Sequence, residues 1–244
     1  MKNKLIVLIV ASISSLSVVA DEIIQLKYKH WEIDYNCDKR GFENFHYFTV
    51  KDSGTLERYS TFHQEQMLPK RCQQFKTKPY SLPAKTSQKY HRGHGVHQNI
   101  WDHSKSLMTQ SNSMANIVPQ AAKLNSTGGW RVTEKLTECY RDIGVVEVWG
   151  GNLWGNDTTN DFFVKSHGVV TPDYLWKVIK FPDGEVNAWL FPNDNSPTSS
   201  KSDAYLVSPK KIERLTHLKF NLPKAELNEK DTRSKTMPKG CKLS

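Results

Sequence analysis

Hydrophobic and polar residues alternate in two early stretches, YKHWEIDYN (28–36) and FHYFTVK (45–51), and both are rich in aromatics. Alternation with a period of two predicts half-buried strands. KDSGT, which overlaps the end of the second, predicts a turn. Residues 63–89 are polar and contain Pro69, Pro79 and Pro83, so a long irregular loop is expected there. SLMTQSNSMANIVPQ (106–120) reads as extended, with Pro119 stopping it. The pattern then changes. In WRVTEKLTECYRDIG, Leu136, Cys139, Tyr140 and Ile143 recur at helical spacing, which predicts one buried helix face ended by Gly144. VVEVWGG (145–151), YLWKVIKF (174–181) and VNAWLF (186–191) predict strands, the last two joined by PDGE as a hairpin turn. SPKKIERLTHL offers Ser208 as N-cap and Pro209 at the first helical position, so it predicts a helix. Strands, a helix and further strands in one chain without internal repeats predict an α+β fold, a sheet packed against a few helices.

The first twenty residues add a compartment. MKNKLIVLIVASISSLSVVA carries Lys2 and Lys4, an apolar run and small residues before Asp21, the layout of a signal peptide cleaved after Ala20. Serines 12, 14, 15 and 17 interrupt the run, which makes it a poor permanent anchor, although an uncleaved anchor stays open. The expected organisation is a signal peptide (1–20), one domain (21–222) and a polar tail (223–244). The product is expected to be exported, periplasmic or secreted, with no stable membrane insertion. Four cysteines, Cys37, Cys72, Cys139 and Cys241, fit two disulfides in such a compartment. Three connectivities are possible; Cys37–Cys72 with Cys139–Cys241 is favoured only because the first two fall in the N-terminal half. A bond to Cys241 would pin a tail that otherwise reads as disordered. The formal charge of +9 favours polyanionic partners, as a weak signal by itself.

Chemistry concentrates in YHRGHGVHQNIWDH (90–103), which holds His91, His94, His97 and His103 beside an Arg-Gly pair. Three readings compete. A three-histidine zinc site is awkward, because a strand turns His94 away from His91 and His97 and the glycines disfavour a helix. A solvated polar loop needs no special chemistry. The third reading takes Arg92, Gly93 and His94 together. A guanidinium binds a phosphate bidentately, a glycine permits close approach, and a neutral imidazole accepts a proton from water.

The last reading gains from a resemblance. HRGH (91–94), NIVPQ (116–120), Asn125, Trp130, Glu134 and GVVTPDYLWKVI (168–179) together resemble the DNA/RNA non-specific endonucleases of the ββα-metal class. IDYNCDKRGFENFHYFTVKD looks like that family's N-terminal sheet, and the resemblance covers most of residues 30–192. It implies a central antiparallel sheet flanked by helices with a ββα-metal motif. It implies His94 as general base, Asn125 as the direct protein ligand of Mg2+ (Mn2+ as a substitute), and Glu134 holding a metal-bound water. Asn116 is expected to brace the site. Arg92 is expected to be structural or phosphate-directed, and Arg58 to bind the scissile phosphate, with Arg71 as its rival. Asn125 also suits a helix N-cap, and Glu134 a solvated helix face. The implied activity is hydrolysis of DNA and RNA to 5′-phosphate ends by a monomer or homodimer. Two departures stand out. His91 occupies the place where the family's box begins with Asp, and NSTGGW puts one extra residue between Asn125 and Trp130. The substitution keeps a second outcome in view, a weakened homologue that binds extracellular nucleic acid, beside the zinc-dependent hydrolase.

Overall fold

The computed structural model describes residues 20–82, 86–241 and 243; residues 1–19 of the expected signal peptide lie outside them. The strands are β1 (Ile23–Lys27), β2 (Trp31–Asn36), β3 (Gly41–Phe48), β4 (Tyr90–His94), β5 (Ile117–Ala121), β6 (Glu147–Leu153), β7 (Tyr174–Lys180), β8 (Val186–Pro192) and β9 (Leu206–Val207). The α-helices are α1 (Lys105–Ser111), α2 (Ala122–Ser126), α3 (Gly129–Tyr140), α4 (Val164–His167), α5 (Pro209–Thr216) and α6 (Lys224–Asn228). The fold is α+β. Seven strands form one antiparallel sheet in the order β1-β2-β3-β6-β7-β8-β9, while β4 and β5 pair separately as a hairpin. The sheet is a meander with one long interruption. Between β3 and β6 the chain leaves it, builds β4, α1, β5, α2 and α3, and returns.

Strand alternation gives the sheet two buried faces. Ile33, Phe45, Tyr47, Val148, Ile179 and Trp189 pack towards Trp130 and Leu136 of α3 in the larger core. Trp176, Val178, Ala188 and Val186 pack against Ile212 and Phe220 on the other side, which α5 covers. Ser208 caps α5 by accepting from Lys211 N, with Pro209 in the first turn, as its sequence indicates. Gly184 supplies the positive φ (+93°) of the turn between β7 and β8.

Three expectations are corrected. Residues 106–120 are not uniformly extended: Ser104 caps α1, whose Leu107, Met108 and Ser111 are buried, and the strand begins only at Ile117. Pro119 does not stop that strand. Its carbonyl accepts from Asn193 Nδ2 at 2.9 Å, so its nitrogen faces the same outer edge, away from β4, where no ladder bond is lost. The helix at 129–140 ends four residues before Gly144, and Ile143 is exposed beyond it.

Both disulfides, Cys37–Cys72 and Cys139–Cys241, join the favoured partners. The second ties the last residues to the end of α3. The segment before it is strapped down as well: Asn187 Nδ2 donates to Asp231 at 2.6 Å, Tyr140 Oη donates to the Thr236 carbonyl at 2.8 Å, and Lys235 pairs with Asp183 and Glu185. Asp231 and Lys235 therefore have specific partners, although much of the segment's polar surface faces solvent. Because the bond spans 102 residues, Cys241→Ser is expected to lower the unfolding free energy, by about 2–4 kcal/mol. It should also expose the chain beyond Glu229 to protease. Urea denaturation and limited proteolysis of the variant check both.

Candidate active site

The long excursion between β3 and β6 converges on a cavity of about 590 Å³ lined by Arg58, Tyr59, Phe62, His91, Arg92, His94, His97, Asn125, Arg131 and Glu134, among others. The β4–β5 hairpin carries the first part. Gly93 is required where it stands, because a Cβ there would lie 2.4 Å from Gln120 Oε1 and 2.5 Å from its Cβ. This close approach brings the hairpin together and sends His94 inward and His91 to the exposed rim.

His94 is buried, and its Nε2 lies 2.8 Å from Asn112 Oδ1. The Asn112 amide cannot turn over freely. Its Nδ2 donates to the carbonyls of Tyr59 (2.9 Å) and Thr61 (3.1 Å), while Oδ1 also receives Gln98 Nε2 at 2.7 Å. An oxygen facing His94 makes Nε2 the protonated nitrogen, so Nδ1 keeps its lone pair. Burial pushes the imidazole down to about 4, with the Asn112 hydrogen bond opposing and Arg58 reinforcing the shift. His94 is therefore a neutral proton acceptor of fixed tautomer at physiological pH.

Asn116 lies beneath this group rather than in the cavity. Its amide accepts from Val96 N (2.8 Å) and donates to the carbonyls of Val96 (2.7 Å) and Ser111 (2.8 Å), which clamps the chain just after His94. Arg92 has a split environment: Nη1 donates to the Thr77 carbonyl at 2.8 Å, and the guanidinium lies 3.7 Å over the Phe62 ring. Phe62 in turn contacts the His94 ring at 5.5 Å. Arg58 is exposed and lines the cavity, whereas Arg71 pairs with Glu22 at 2.7 Å outside it. His103 lies apart, against Trp101.

Helix α3 brings the acids. Glu134 and Glu138 both accept from Arg131 Nη1, at 3.2 and 2.8 Å. His97 Nε2 lies 3.4 Å from Glu138 Oε1. Burial raises the Glu138 carboxyl, and His97 with Arg131 outweighs that and holds it below its ordinary value. Asn125 sits in the last turn of α2, half-buried, and does not cap α3, whose N-cap is Gly128. Its Nδ2 is 3.3 Å from His91 Nδ1, and its Oδ1 accepts no hydrogen bond among the described residues. An unengaged amide oxygen and a carboxylate on one cavity wall are hard oxygen donors of the kind a divalent cation of the Mg2+ type takes. The histidines do not make a zinc site: among the described residues, only Glu22, Cys37 and Cys72 place three such ligand atoms together, and those cysteines are bonded to each other. Two smaller depressions beside the cavity share Arg131 and His91 with it and add Lys135 and Lys89.

The model of the DNA/RNA non-specific endonuclease family matches residues 15–226 of the sequence. The chain belongs to that family. The nuclease is also similar in fold to a chain in the crystal structure of the EndoG/EndoGI complex, with a TM-score of 0.61 and 17% identity over 83% of this chain and 86% of that one. No curated protein matches the sequence significantly.

The sequence does not single out every side chain at the nuclease's site. Asn112 and Gln98 sit in polar stretches without a period, and nothing but the fold shows that Asn112 meets His94 and Gln98 meets Asn112. Arg131 reads only as a neighbour of Glu134 on a helix. Lys177 does carry a signal, as a lysine in the apolar strand YLWKVIKF. It is fully buried, its Nζ lies 3.7 Å over the Trp130 ring, and it has no hydrogen-bond partner among the described residues. Burial pushes its ammonium down to about 8, with Glu134 opposing. The folded value lies below the unfolded 10.5, so the unfolded chain binds the extra proton between those limits and stability rises with pH across that window. The buried charge costs about 3 kcal/mol below it. Lys177→Met should therefore be more stable than the wild type near pH 7, with the difference shrinking from pH 8 to 10.5. Urea melts at several pH values test this, and a difference that stays constant with pH would contradict it.

Proposed function

We propose that the nuclease is an exported, Mg2+-dependent, sugar-non-specific endonuclease that hydrolyses DNA and RNA to 5′-phosphate and 3′-hydroxyl ends. The observation that carries this reading is the fixed tautomer of His94 in a cavity that also holds Asn125 and Glu134. His94 Nδ1 takes the proton of an attacking water as its oxygen bonds to phosphorus. The P–O3′ bond breaks, its electron pair goes to O3′, and that oxygen takes a proton from solvent. A general base in this position contributes on the order of 10²–10⁴ in rate. Asn125 Oδ1 would hold the cation directly and Glu134 would do so through water. Once bound, the ion supplies Lewis-acid stabilisation of the charge developing on the phosphoryl oxygens and O3′. Mn2+ is expected to substitute.

The other residues position and attract. Asn112 holds the His94 tautomer, and Asn116 clamps the backbone beside it. Phe62 packs against the imidazole and Arg92 against Phe62, so Arg92 is a positioning residue rather than a phosphate ligand. Arg58, exposed and lining the cavity, is free to meet a phosphate oxygen. Arg58 in the cavity, with Lys89 and Lys135 in the depressions beside it, would favour a polyanion through its phosphates, a mode of binding indifferent to base and sugar. Two disulfides and the basic, apolar first twenty residues support export, to the periplasm or beyond. Among the described residues no helix is long and apolar enough to cross a membrane.

Plasmid nicking and RNA cleavage by the protein without residues 1–20 test the reading. Mg2+-dependent cutting that stops in EDTA and falls at least roughly 10²-fold in His94→Ala is the expected result. Arg58→Ala should keep the metal dependence and raise KM more than it lowers kcat. Equal cutting by wild type and His94→Ala would contradict the assignment. Duplex binding without any cutting under Mg2+ or Mn2+ would instead make the chain a nucleic-acid-binding homologue.

A further inference from the structure

His91 has no structural task that accounts for it. It is exposed on the cavity rim, its ring stacks on nothing among the described residues, and its one side-chain hydrogen bond among them is the 3.3 Å contact of Nδ1 with Asn125 Nδ2. That contact defines its chemistry. An amide N–H donated to Nδ1 means that Nδ1 carries a lone pair and that the ring is neutral. A lone-pair nitrogen from β4 and an amide from α2 are thus held side by side, facing one cavity, although they lie 34 residues apart in the chain.

The spacing has a meaning for metal binding. Two neighbouring ligand atoms on an octahedral ion with bonds of about 2.1 Å lie roughly 3 Å apart, and the His91–Asn125 pair is already at 3.3 Å. A half-turn of the Asn125 amide about its Cβ–Cγ bond replaces Nδ2 by Oδ1 at that place. The turn gives up only the bond to His91, since the amide makes no other among the described residues. Nothing has to unpack.

We propose that His91 Nδ1 is a metal ligand beside Asn125 Oδ1, making the centre a mixed nitrogen–oxygen site. This inference rests on the reading of the cavity as a divalent-metal centre and goes further in naming a second protein ligand. An imidazole nitrogen favours first-row transition ions over Mg2+, whose preference is for oxygen. The site therefore binds Mn2+ more tightly than Mg2+, and the chain's departure at the head of its HRGH box sets that order. His91 lies at the rim, so its replacement leaves the core intact.

Mn2+ provides a readout independent of turnover. The free-ion electron paramagnetic resonance signal measures binding, and electron spin-echo modulation detects a directly bound imidazole nitrogen. The protein lacking residues 1–20 is expected to bind one Mn2+ with nitrogen modulation, which is lost in His91→Asp and kept in His94→Ala. His91→Asp should still bind the ion, through oxygen, and its preference for Mn2+ over Mg2+ in competition should fall. Mn2+ bound without nitrogen modulation, or with modulation that survives His91→Asp, would overturn the ligand while leaving the metal centre standing. If neither protein binds Mn2+, or if Asn125→Ala binds it as well as the wild type does, the metal centre and the ligand fall together.

Discussion

One hydrogen bond decides what the cavity can do. Asn112 Oδ1 faces His94 Nε2 because the other end of the same amide is held by two backbone carbonyls, those of Tyr59 and Thr61. A neutral imidazole left to itself can place its proton on either nitrogen. This one is committed. The commitment draws on three segments distant in sequence: the loop that carries Arg58, the residue following α1, and the end of β4. Gln98 adds a fourth by donating to the same oxygen and holding the Tyr59 backbone at both its N–H and its carbonyl. The imidazole is therefore as rigid as the fold around it, and in the proposed role of general base that rigidity would spare the reaction the cost of orienting it.

The sheet makes such a polar centre affordable in structural terms. It contributes a rigid floor of aromatic and branched side chains, and α3 lies across it with Trp130 and Leu136 buried. The acids of α3 and the lysine of β7 meet above that floor. His97, Arg131, Glu134 and Glu138 form one connected group, and Lys177 is held beside it over an aromatic face. Burying so many charges is costly unless each is met by an opposite one. Here the cations and carboxylates largely answer each other, and Lys177 is the exception that leaves a trace in stability. The end of α3 is secured from outside by Cys139–Cys241 and by the strapped segment before Cys241.

Much of this was legible in the order of residues. Alternation located β2 and β3, the short apolar runs before and after PDGE located β7 and β8, and Ser208-Pro209 located α5, because those signals are local and no tertiary contact opposes them. The HRGH box stood out by its residue types, Asn125 and Glu134 only through the resemblance to the endonuclease family, and the fold brings them to one cavity. What escaped was non-local. Residues 105–111 form a helix because Ser104 caps them and the core receives Leu107 and Met108, which a short polar-rich stretch does not announce. Pro119 is tolerated in a strand because Asn193, 74 residues later, takes the outer edge. Asn112 has no sequence mark at all, since its importance lies in where its two ends point.

The proposed mechanism stands on His94 as a neutral imidazole with its proton on Nε2 and its lone pair on Nδ1. Nitrogen-15 NMR of the histidine side chains, with His94 assigned by substitution, reads the tautomer and the titration together. The expected result is an Nε2–H imidazole that stays neutral down to a pH of about 4, and whose tautomer preference is lost in Asn112→Ala. An Nδ1–H tautomer in the wild type, or a ring that protonates near the ordinary histidine value, would contradict it.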